Sequence, residues 1–201
     1  MVNPRFLVIS LGNPLPKYTS LHSAGHFTLR GLAPLLPNQP PFAQTKFGKA
    51  NALVSQGSKY TLVQSPTLMN VSGPFVARAW AEMLKTYEAK DCCLVIVHDE
   101  LEKPLGVVRL VDWEKSHKGH NGLKSIRGVI SQARFPESPL VRMAVGIGRP
   151  KERDPETVAR YVLDSIPREM VDAFEGDAAG KARERLRELE AEWCEEAAKV
   201  K

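Results

Sequence analysis

The hydrophobic pattern of this chain alternates between short apolar runs and longer stretches whose apolar positions recur every three or four residues. The first run is FLVISL at 6–11, which the turn sequence GNPLP interrupts as a loop interrupts a strand. The run CLVIVHDE at 93–100 is unbroken, which predicts a central strand covered on both faces. GVVRLV at 106–111 and VRMAVGIG at 141–148 predict two further strands.

The intervening stretches predict a hairpin and three helices. NALVSQGSKYTLVQSP at 51–66 alternates about a Gln-Gly-Ser turn, which is typical of a β-hairpin. Apolar residues at helical spacing predict helices over about 22–36, 72–87 and 121–132, with Ser72 as a candidate N-cap of the second. Strands that alternate with helices, together with a hairpin, predict an α/β protein built on a mixed twisted sheet flanked by helices.

Beyond Pro150 the pattern is helical only. DPETVARYVL begins with an Asp-Pro helix start at Asp154, and the final stretch carries Leu186, Leu189 and Trp193 on one face among mixed charges. That amphipathic helix is expected to pack on the body of the protein or on a partner.

The domain prediction is a single compact unit over residues 1–201. Its core covers about 5–165, and a helical C-terminal segment covers about 166–201.

The composition is that of a soluble globular protein, with 43% hydrophobic and 25% charged residues. No apolar run approaches the ~20 residues that span a bilayer, so no membrane association is expected. The N-terminal residues lead almost directly into a strand, which leaves no signal or transit segment to predict. Cys92, Cys93 and Cys194 lack metal-ligand spacing and suit a reducing compartment, so we expect a cytoplasmic protein, or one of an organellar matrix.

Charge is unevenly distributed along the chain. Residues 1–150 hold 18 Lys and Arg against 9 Asp and Glu, whereas residues 151–201 hold 10 against 14. A basic body of this kind favours a polyanionic partner, although many basic domains bind none.

Candidate chemistry lies just after the predicted strands. Asn13 follows the first strand, Asn70 follows the hairpin, Asp99 ends the apolar run, and Asn121 begins a helix. Ligands of open α/β sheets bind beyond the carboxyl ends of the strands, where these side chains can converge. Each also has a structural interpretation: Asn13 and Asp99 as turn residues, and Asn70 and Asn121 as helix caps.

His22 is the candidate general base. A histidine takes a proton from water near neutral pH when a carboxylate fixes its tautomer, and Asp99 is the best-placed carboxylate. Asparagines do not titrate, so they would position substrate or water and stabilise oxyanion charge. His22 and His26 have the spacing of helical zinc ligands but lack the glutamate of HExxH, so neither a metal nor a cofactor is predicted.

The motifs together resemble a known family, the bacterial-type peptidyl-tRNA hydrolases, from about Phe6 to Leu163. Six motifs carry the resemblance in order and register: LVISLGNPLPKY, LHSAGH, PTLMNVSG, VHDELEKPLG, GHNGLKSI and VGIGRP. The resemblance implies a monomeric, metal-independent α/β enzyme that cleaves the ester between a peptide and the 3′ adenosine of tRNA, recycling the tRNA.

The resemblance also assigns roles to residues of this sequence. It implies that His22 is the catalytic base, that Asp99 orients it, and that Asn13 lies near the reacting water and carbonyl. The residues matched to substrate binding are Tyr18, Leu68, Asn70, His120 and Asn121. The residues expected at the tRNA are Arg109 and Arg142, at basic positions of the family pattern, and Lys118 and Lys124, which add charge beside GHNG.

The sequence departs from the family pattern at several positions. Ser23 replaces the usual asparagine after the catalytic histidine, Leu68 replaces a phenylalanine, and Ala144 stands where a second arginine is common. The approach to GHNG, residues 112–118, is longer and more charged than usual, so its tRNA contacts are expected to differ.

A second class of function stays open beside the enzyme. Plastid intron-splicing factors share the family's fold and act as RNA and protein partners without hydrolysis. A transit segment or an altered active site would indicate that class, and neither is expected here. An exposed apolar patch would indicate it too, and the sequence leaves open whether the C-terminal Leu/Trp face is covered.

Overall fold

A seven-stranded mixed β-sheet forms the centre of the protein in the computed structural model, which describes residues 2–199. The strands are β1 (Arg5–Ser10), β2 (Ala43–Phe47), β3 (Ala50–Gln56), β4 (Tyr60–Gln64), β5 (Cys92–Glu100), β6 (Val108–Asp112) and β7 (Leu140–Gly146). Their order in the sheet is β2-β3-β4-β1-β5-β7-β6, with β4, β1, β5 and β7 parallel and the outer strands antiparallel. The mixed α/β sheet predicted from the sequence is confirmed.

Helices cover both faces of this sheet. The α-helices are α1 (Ala24–Leu32), α2 (Ser72–Thr86), α3 (Asn121–Arg127), α4 (Pro155–Leu163), α5 (Arg168–Ala173) and α6 (Ala179–Lys199). A π-helical turn, Phe174–Ala178, joins α5 to α6. Within residues 2–199, no helix combines the length and the apolar character needed to cross a membrane.

The core consists of one apolar layer on each face of the sheet. Successive strand residues point to opposite faces, so Phe6 and Val8 of β1 enter the layer beneath α1 and α6, while Leu7 and Ile9 enter the layer beneath α2 and α3. β5 is buried along its whole length except at Glu100. This double burial explains the unbroken apolar run that predicted a central strand.

The amphipathic helix α6 packs on the body of its own chain. Leu186, Leu189 and Trp193 are buried in the core layer, and the Trp193 indole meets the Phe6 ring edge-on at 5.8 Å between centroids. The sequence left open whether this face covers the body or a partner, and the body covers it.

Four local predictions about elements differ from the structure. The strand β2 was not predicted, because its first four side chains are exposed and carry no alternation. The first helix is shorter than expected: it ends at Leu32, and a 3₁₀ turn over Ala33–Leu35 follows, because Pro34 has no N–H to donate to the carbonyl four residues earlier.

The other two differences concern helix ends. Ser72 is not an N-cap: a 3₁₀ turn precedes it, Val71 takes the cap position, and the Ser72 hydroxyl donates to the Met69 carbonyl. The helix α3 ends at Arg127 rather than near 132 because Gly128 caps it, and the chain turns away there.

Candidate active site

The predicted polar residues converge on one cleft at the carboxyl ends of the parallel strands. Asn13 lies just beyond β1, and Asp99 lies near the end of the neighbouring strand β5. His22 reaches the same cleft from a 3₁₀ turn, Leu21–Ser23, that leads into α1. The cleft encloses about 1190 Å³, a volume beyond that of ordinary small-molecule pockets.

Asp99 is the centre of the site and receives two histidine rings on one oxygen. Its side chain is buried, and its Oδ1 accepts from His22 Nδ1 at 2.8 Å and from His120 Nε2 at 3.0 Å. Burial alone would raise the pKa of Asp99, but the two rings beside it hold that pKa well below its ordinary value. Asp99 is therefore a carboxylate, and each ring presents an N–H to it.

His22 is the ring with a nitrogen left for chemistry. Its Nδ1–H donates to Asp99, so its Nε2 is the basic nitrogen, and the ring lines the cleft. Burial works to lower the pKa of His22, yet the charge of Asp99 and the hydrogen bond to it prevail and raise that pKa above its ordinary value. These are the properties of a general base coupled to a carboxylate.

His120 has both ring nitrogens occupied. Its Nε2–H donates to Asp99, and its Nδ1 accepts from the Leu123 backbone N–H at 3.3 Å, which makes His120 the N-cap of α3. A proton on Nδ1 would break this cap, so the ring is poorly placed to act as a base. The structural interpretation of Asn121 as a cap is therefore wrong, and Asn121 is the first residue of the helix.

His98 is a third histidine of the site, and no role was predicted for it. It is buried on β5, its Nδ1–H donates to the Asp99 carbonyl oxygen at 2.8 Å, and its ring meets His120 edge-on. Burial, reinforced by the neighbouring His120, lowers the pKa of His98 to about 3. A histidine inside an otherwise apolar buried strand was the available signal, because such a ring needs polar partners.

Three asparagines line the cleft around His22. They are Asn13, Asn70 and Asn121. Across residues 2–199, no hydrogen-bond partner is found for the side-chain amide of any of the three. Asn70 lies in the 3₁₀ turn before α2 and caps no helix, so its capping interpretation is also wrong.

Ser23, the substitute for the family's asparagine, supports the first loop. Its buried hydroxyl accepts from the Asn13 backbone N–H at 3.1 Å. The serine therefore holds the backbone of Asn13 and does not line the cleft.

Tyr18 and Leu68 occupy different positions relative to the cleft. Leu68 lines it with 58% of its surface exposed. Tyr18 is not brought to the cleft wall: its hydroxyl donates to Gln64 Oε1 at 3.0 Å, and its ring stacks on His26. The ring and the hydroxyl are both engaged within the body, and the substrate contact of Tyr18 stays a prediction.

The cleft wall is predominantly basic. Glu100 and Glu102 join Asp99 as its acidic residues. Its seven basic residues are Lys103, Arg109, Lys115, Lys118, Arg142, Arg149 and Arg153.

The predicted tRNA-contacting residues divide into three groups. Arg109 is exposed on β6, and Lys118 is exposed with its Nζ 3.5 Å from Glu100 Oε2. Lys124 is exposed on α3 but does not line the cleft. Arg142 is only 2% exposed and donates to backbone carbonyls, a placement that argues against the predicted phosphate contact.

One cluster among the described residues has the composition of a metal site. His22, Asp99 and His120 each offer a ligand atom, and these atoms lie within 4.8 Å of one another. In the structure both rings use a nitrogen to hydrogen-bond the carboxylate. His26 takes no part, because its Nδ1 hydrogen-bonds the Ser10 hydroxyl at 2.8 Å inside the core.

The fold and the site define an α/β enzyme whose histidine–carboxylate pair lies in a basic cleft at the carboxyl ends of parallel strands. The family model described as peptidyl-tRNA hydrolase matches residues 7–199 of the chain. The chain belongs to the peptidyl-tRNA hydrolase family.

Individual relatives support this membership. The chain is 34% identical to a peptidyl-tRNA hydrolase of Citrifermentans bemidjiense over 84% of its own length and 82% of that protein's. It is 31% identical to one of Vibrio parahaemolyticus over 96% and 100%. The crystal structure of peptidyl-tRNA hydrolase from Acinetobacter baumannii is similar with a TM-score of 0.68 at 25% identity, covering 96% of this chain and 94% of that one.

Proposed function

We propose that this protein hydrolyses the ester bond between the peptide and the 3′-terminal adenosine of peptidyl-tRNA. The observation that carries the proposal is the pairing of His22 with Asp99 in the basic cleft. Family membership supplies the substrate class, and the geometry supplies a base that needs no covalent intermediate.

His22 begins the proposed reaction by taking a proton from a water molecule on its Nε2. The resulting hydroxide adds to the ester carbonyl carbon, and Asp99 stabilises the imidazolium through the Nδ1–H bond of 2.8 Å. The bond from that carbon to the 3′ oxygen then breaks, and His22 returns its proton to the leaving oxygen. The products are a peptide with a free carboxyl group and a tRNA with a free 3′ hydroxyl.

The asparagines are proposed to act on the ester carbonyl and to bind the peptide and the 3′ end of the tRNA. The side chains of Asn13, Asn70 and Asn121 face the cleft without partners among the described residues. An amide N–H aimed at developing oxyanion charge lowers the barrier because it needs no reorganisation during the reaction. We assign this role to Asn13, and we assign substrate binding to Asn70, Asn121 and the exposed Leu68.

Hydrolysis of an N-acetylated aminoacyl-tRNA by the purified protein in excess EDTA tests the function. We expect turnover, with release of deacylated tRNA, because His22 and Asp99 supply the base without a metal. The same substrate incubated without the protein is the control for spontaneous ester loss. Retained tRNA binding without turnover would reject the enzyme and favour the RNA-binding class, which the intact His22–Asp99 pair and the covered Leu186/Trp193 face do not favour.

The basic cleft predicts a steep dependence of substrate affinity on salt. Each Lys or Arg that neutralises a phosphate releases a counterion, so log KM should rise linearly with log salt concentration. Arg109→Gln should raise KM with little change in kcat and reduce that slope by about one. Lys46→Gln, on the exposed strand β2 far along the sheet from the cleft, is the control. An equal, shallow slope in all three proteins would show that the charge excess has no role in binding.

We further propose that the enzyme acts as a monomer in the cytoplasm. Coverage of the Leu/Trp face of α6 by its own chain supports a monomer, which sedimentation of the 22.3 kDa chain tests. The three cysteines are free, as suits a reducing compartment.

A further inference from the structure

Arg142 is a fully buried cation with no carboxylate partner among the described residues. It lies on β7 between β5 and β6, and its side chain is 2% exposed. Burying a guanidinium is costly unless all its N–H groups find acceptors. A group so placed needs a structural or functional reason.

The acceptors of Arg142 are the backbone carbonyls of one loop. Its Nε and Nη2 donate to the Asp112 carbonyl at 3.2 and 2.9 Å. Its Nη2 also donates to the Lys115 carbonyl at 3.0 Å, and its Nη1 donates to that of Ser116 at 3.4 Å. The planar guanidinium thus gathers three carbonyls of the charged segment that precedes GHNG, which we call the rim loop, residues 112–120.

The rim loop leads directly to the catalytic carboxylate. It ends at His120, whose Nε2–H donates to Asp99 and whose backbone N–H donates to the His117 carbonyl at 2.8 Å. Gly119 adopts a φ of +84°, so the chain turns sharply just before His120. A displacement of the loop would therefore move His120 off Asp99 and shift Asn121 with it.

Other contacts of the rim loop are weaker or more exposed. Arg127 donates from the surface to the Lys115 carbonyl at 3.1 Å, and it pairs with Glu114, which is 59% exposed. Trp113 is buried and anchors one point of the loop in the core layer under α2 and α3. Arg142 is buried beneath the loop and holds its middle through the carbonyls of Lys115 and Ser116.

We propose that Arg142 is a positioning residue, which holds the rim loop so that His120 stays on Asp99 and Asn121 stays at the cleft, and is not a phosphate contact. The proposal rests on the proposed hydrolysis, since its main readout is turnover. The proposal gives Arg142 a different role from Arg109, an exposed arginine on the neighbouring strand that lines the same cleft.

The test compares Arg142→Met, Arg142→Lys and Arg109→Gln in kcat, KM and salt dependence. We expect Arg142→Met to lower kcat about 10-fold or more, because a displacement near 1 Å can cost as much as 10²-fold. Its dependence of log KM on log salt should keep the wild-type slope, since no phosphate contact is lost. Arg142→Lys, which still donates to carbonyls, should recover part of kcat.

The outcomes are separable from those of the proposed function. Absence of turnover in the wild-type protein rejects the function. Turnover in the wild type with an unchanged kcat in Arg142→Met, or with a salt slope reduced as in Arg109→Gln, rejects the positioning role.

A measurement on the wild-type protein keeps the proposal testable if Arg142→Met does not fold. In ¹⁵N-arginine-labelled protein, the Nε–H signals of Arg142 and Arg109 are followed while an RNA hairpin ending in CCA is added. We expect the Arg142 signal to exchange slowly with solvent and to keep its chemical shift, while the Arg109 signal moves. A shift of the Arg142 signal as large as that of Arg109 would overturn the proposal.

Discussion

Replacement of His22 by alanine is expected to lower kcat for hydrolysis of N-acetylated aminoacyl-tRNA by about 10²–10⁴. The variant loses the ring whose Nε2 is left unbonded at the cleft, because His22 bonds Asp99 through Nδ1 alone; the Nε2 of His98 is also unbonded, but it is buried. Binding of uncharged tRNA should change little, since the basic cleft wall is untouched. Single-turnover kinetics, with binding measured separately, checks both statements.

His120→Ala is the matched comparison for this experiment. It removes the other ring on the same carboxylate oxygen, and with it the cap of α3, but it removes no free base. We expect a loss of kcat well below that of His22→Ala and a weaker substrate affinity. If the two variants lose activity equally, or if His120→Ala loses more, the assignment of the base to His22 is wrong.

The central sheet was predictable because burial dictates its residues. β1 and β5 are covered on both faces, which forces the near-continuous apolar runs that identify them. The strand β2 was not predictable from the pattern, because it is held by backbone pairing with β3 and all its side chains except Phe47 are exposed. Its sequence therefore carries no apolar period.

The positions of the site residues along the chain were predictable, but their orientations were not. Polar residues after strands and six motifs in register located His22, Asp99 and the asparagines. Whether an arginine points into the cleft or under a loop depends on the packing around it. Arg142 and Arg109 look alike in the sequence, yet one is buried beneath carbonyls and the other is exposed.

The orientation of Tyr18, a predicted substrate contact, was not predictable either. Its loop carries the family motif, but the hydroxyl meets Gln64 of β4, a partner 46 positions away in the chain. Long-range hydrogen bonds of this kind leave no local trace in a sequence. His98 is the converse case: its burial was predictable from the strand, although no role was predicted for it, and its Nδ1–H donates to the carbonyl oxygen of the adjacent Asp99.

The two histidines that bond Asp99 depend on that carboxylate in different ways. His22 draws on its charge to stay basic, which raises the pKa of His22 against the effect of burial. His120 ties the same oxygen to the start of α3 and so fixes where the negative charge lies. One buried carboxylate thereby raises the pKa of His22 and holds the residue that caps the helix beginning at Asn121.

Replacement of Asp99 by asparagine is expected to lower the plateau of kcat/KM by about 10² and to move its pH dependence to lower pH. Both rings bond the same oxygen, Oδ1, so the asparagine carbonyl oxygen can accept both N–H groups and keep the tautomer of His22. The charge that stabilises the imidazolium is lost, and burial alone then lowers the pKa of His22.

The sign of the pH shift distinguishes this mechanism from a change of tautomer. In the wild type the rate rises with pH as His22 loses its proton, and Asp99 places that rise above the ordinary histidine pKa. In Asp99→Asn the rise should come at lower pH, with a lower plateau because a less basic imidazole abstracts the proton less readily. If instead the asparagine amide donates to Nδ1, His22 carries its proton on Nε2, and the plateau falls to that of His22→Ala. A profile that keeps the wild-type midpoint and plateau would mean that Asp99 does not act on the base, whatever its distance from the ring.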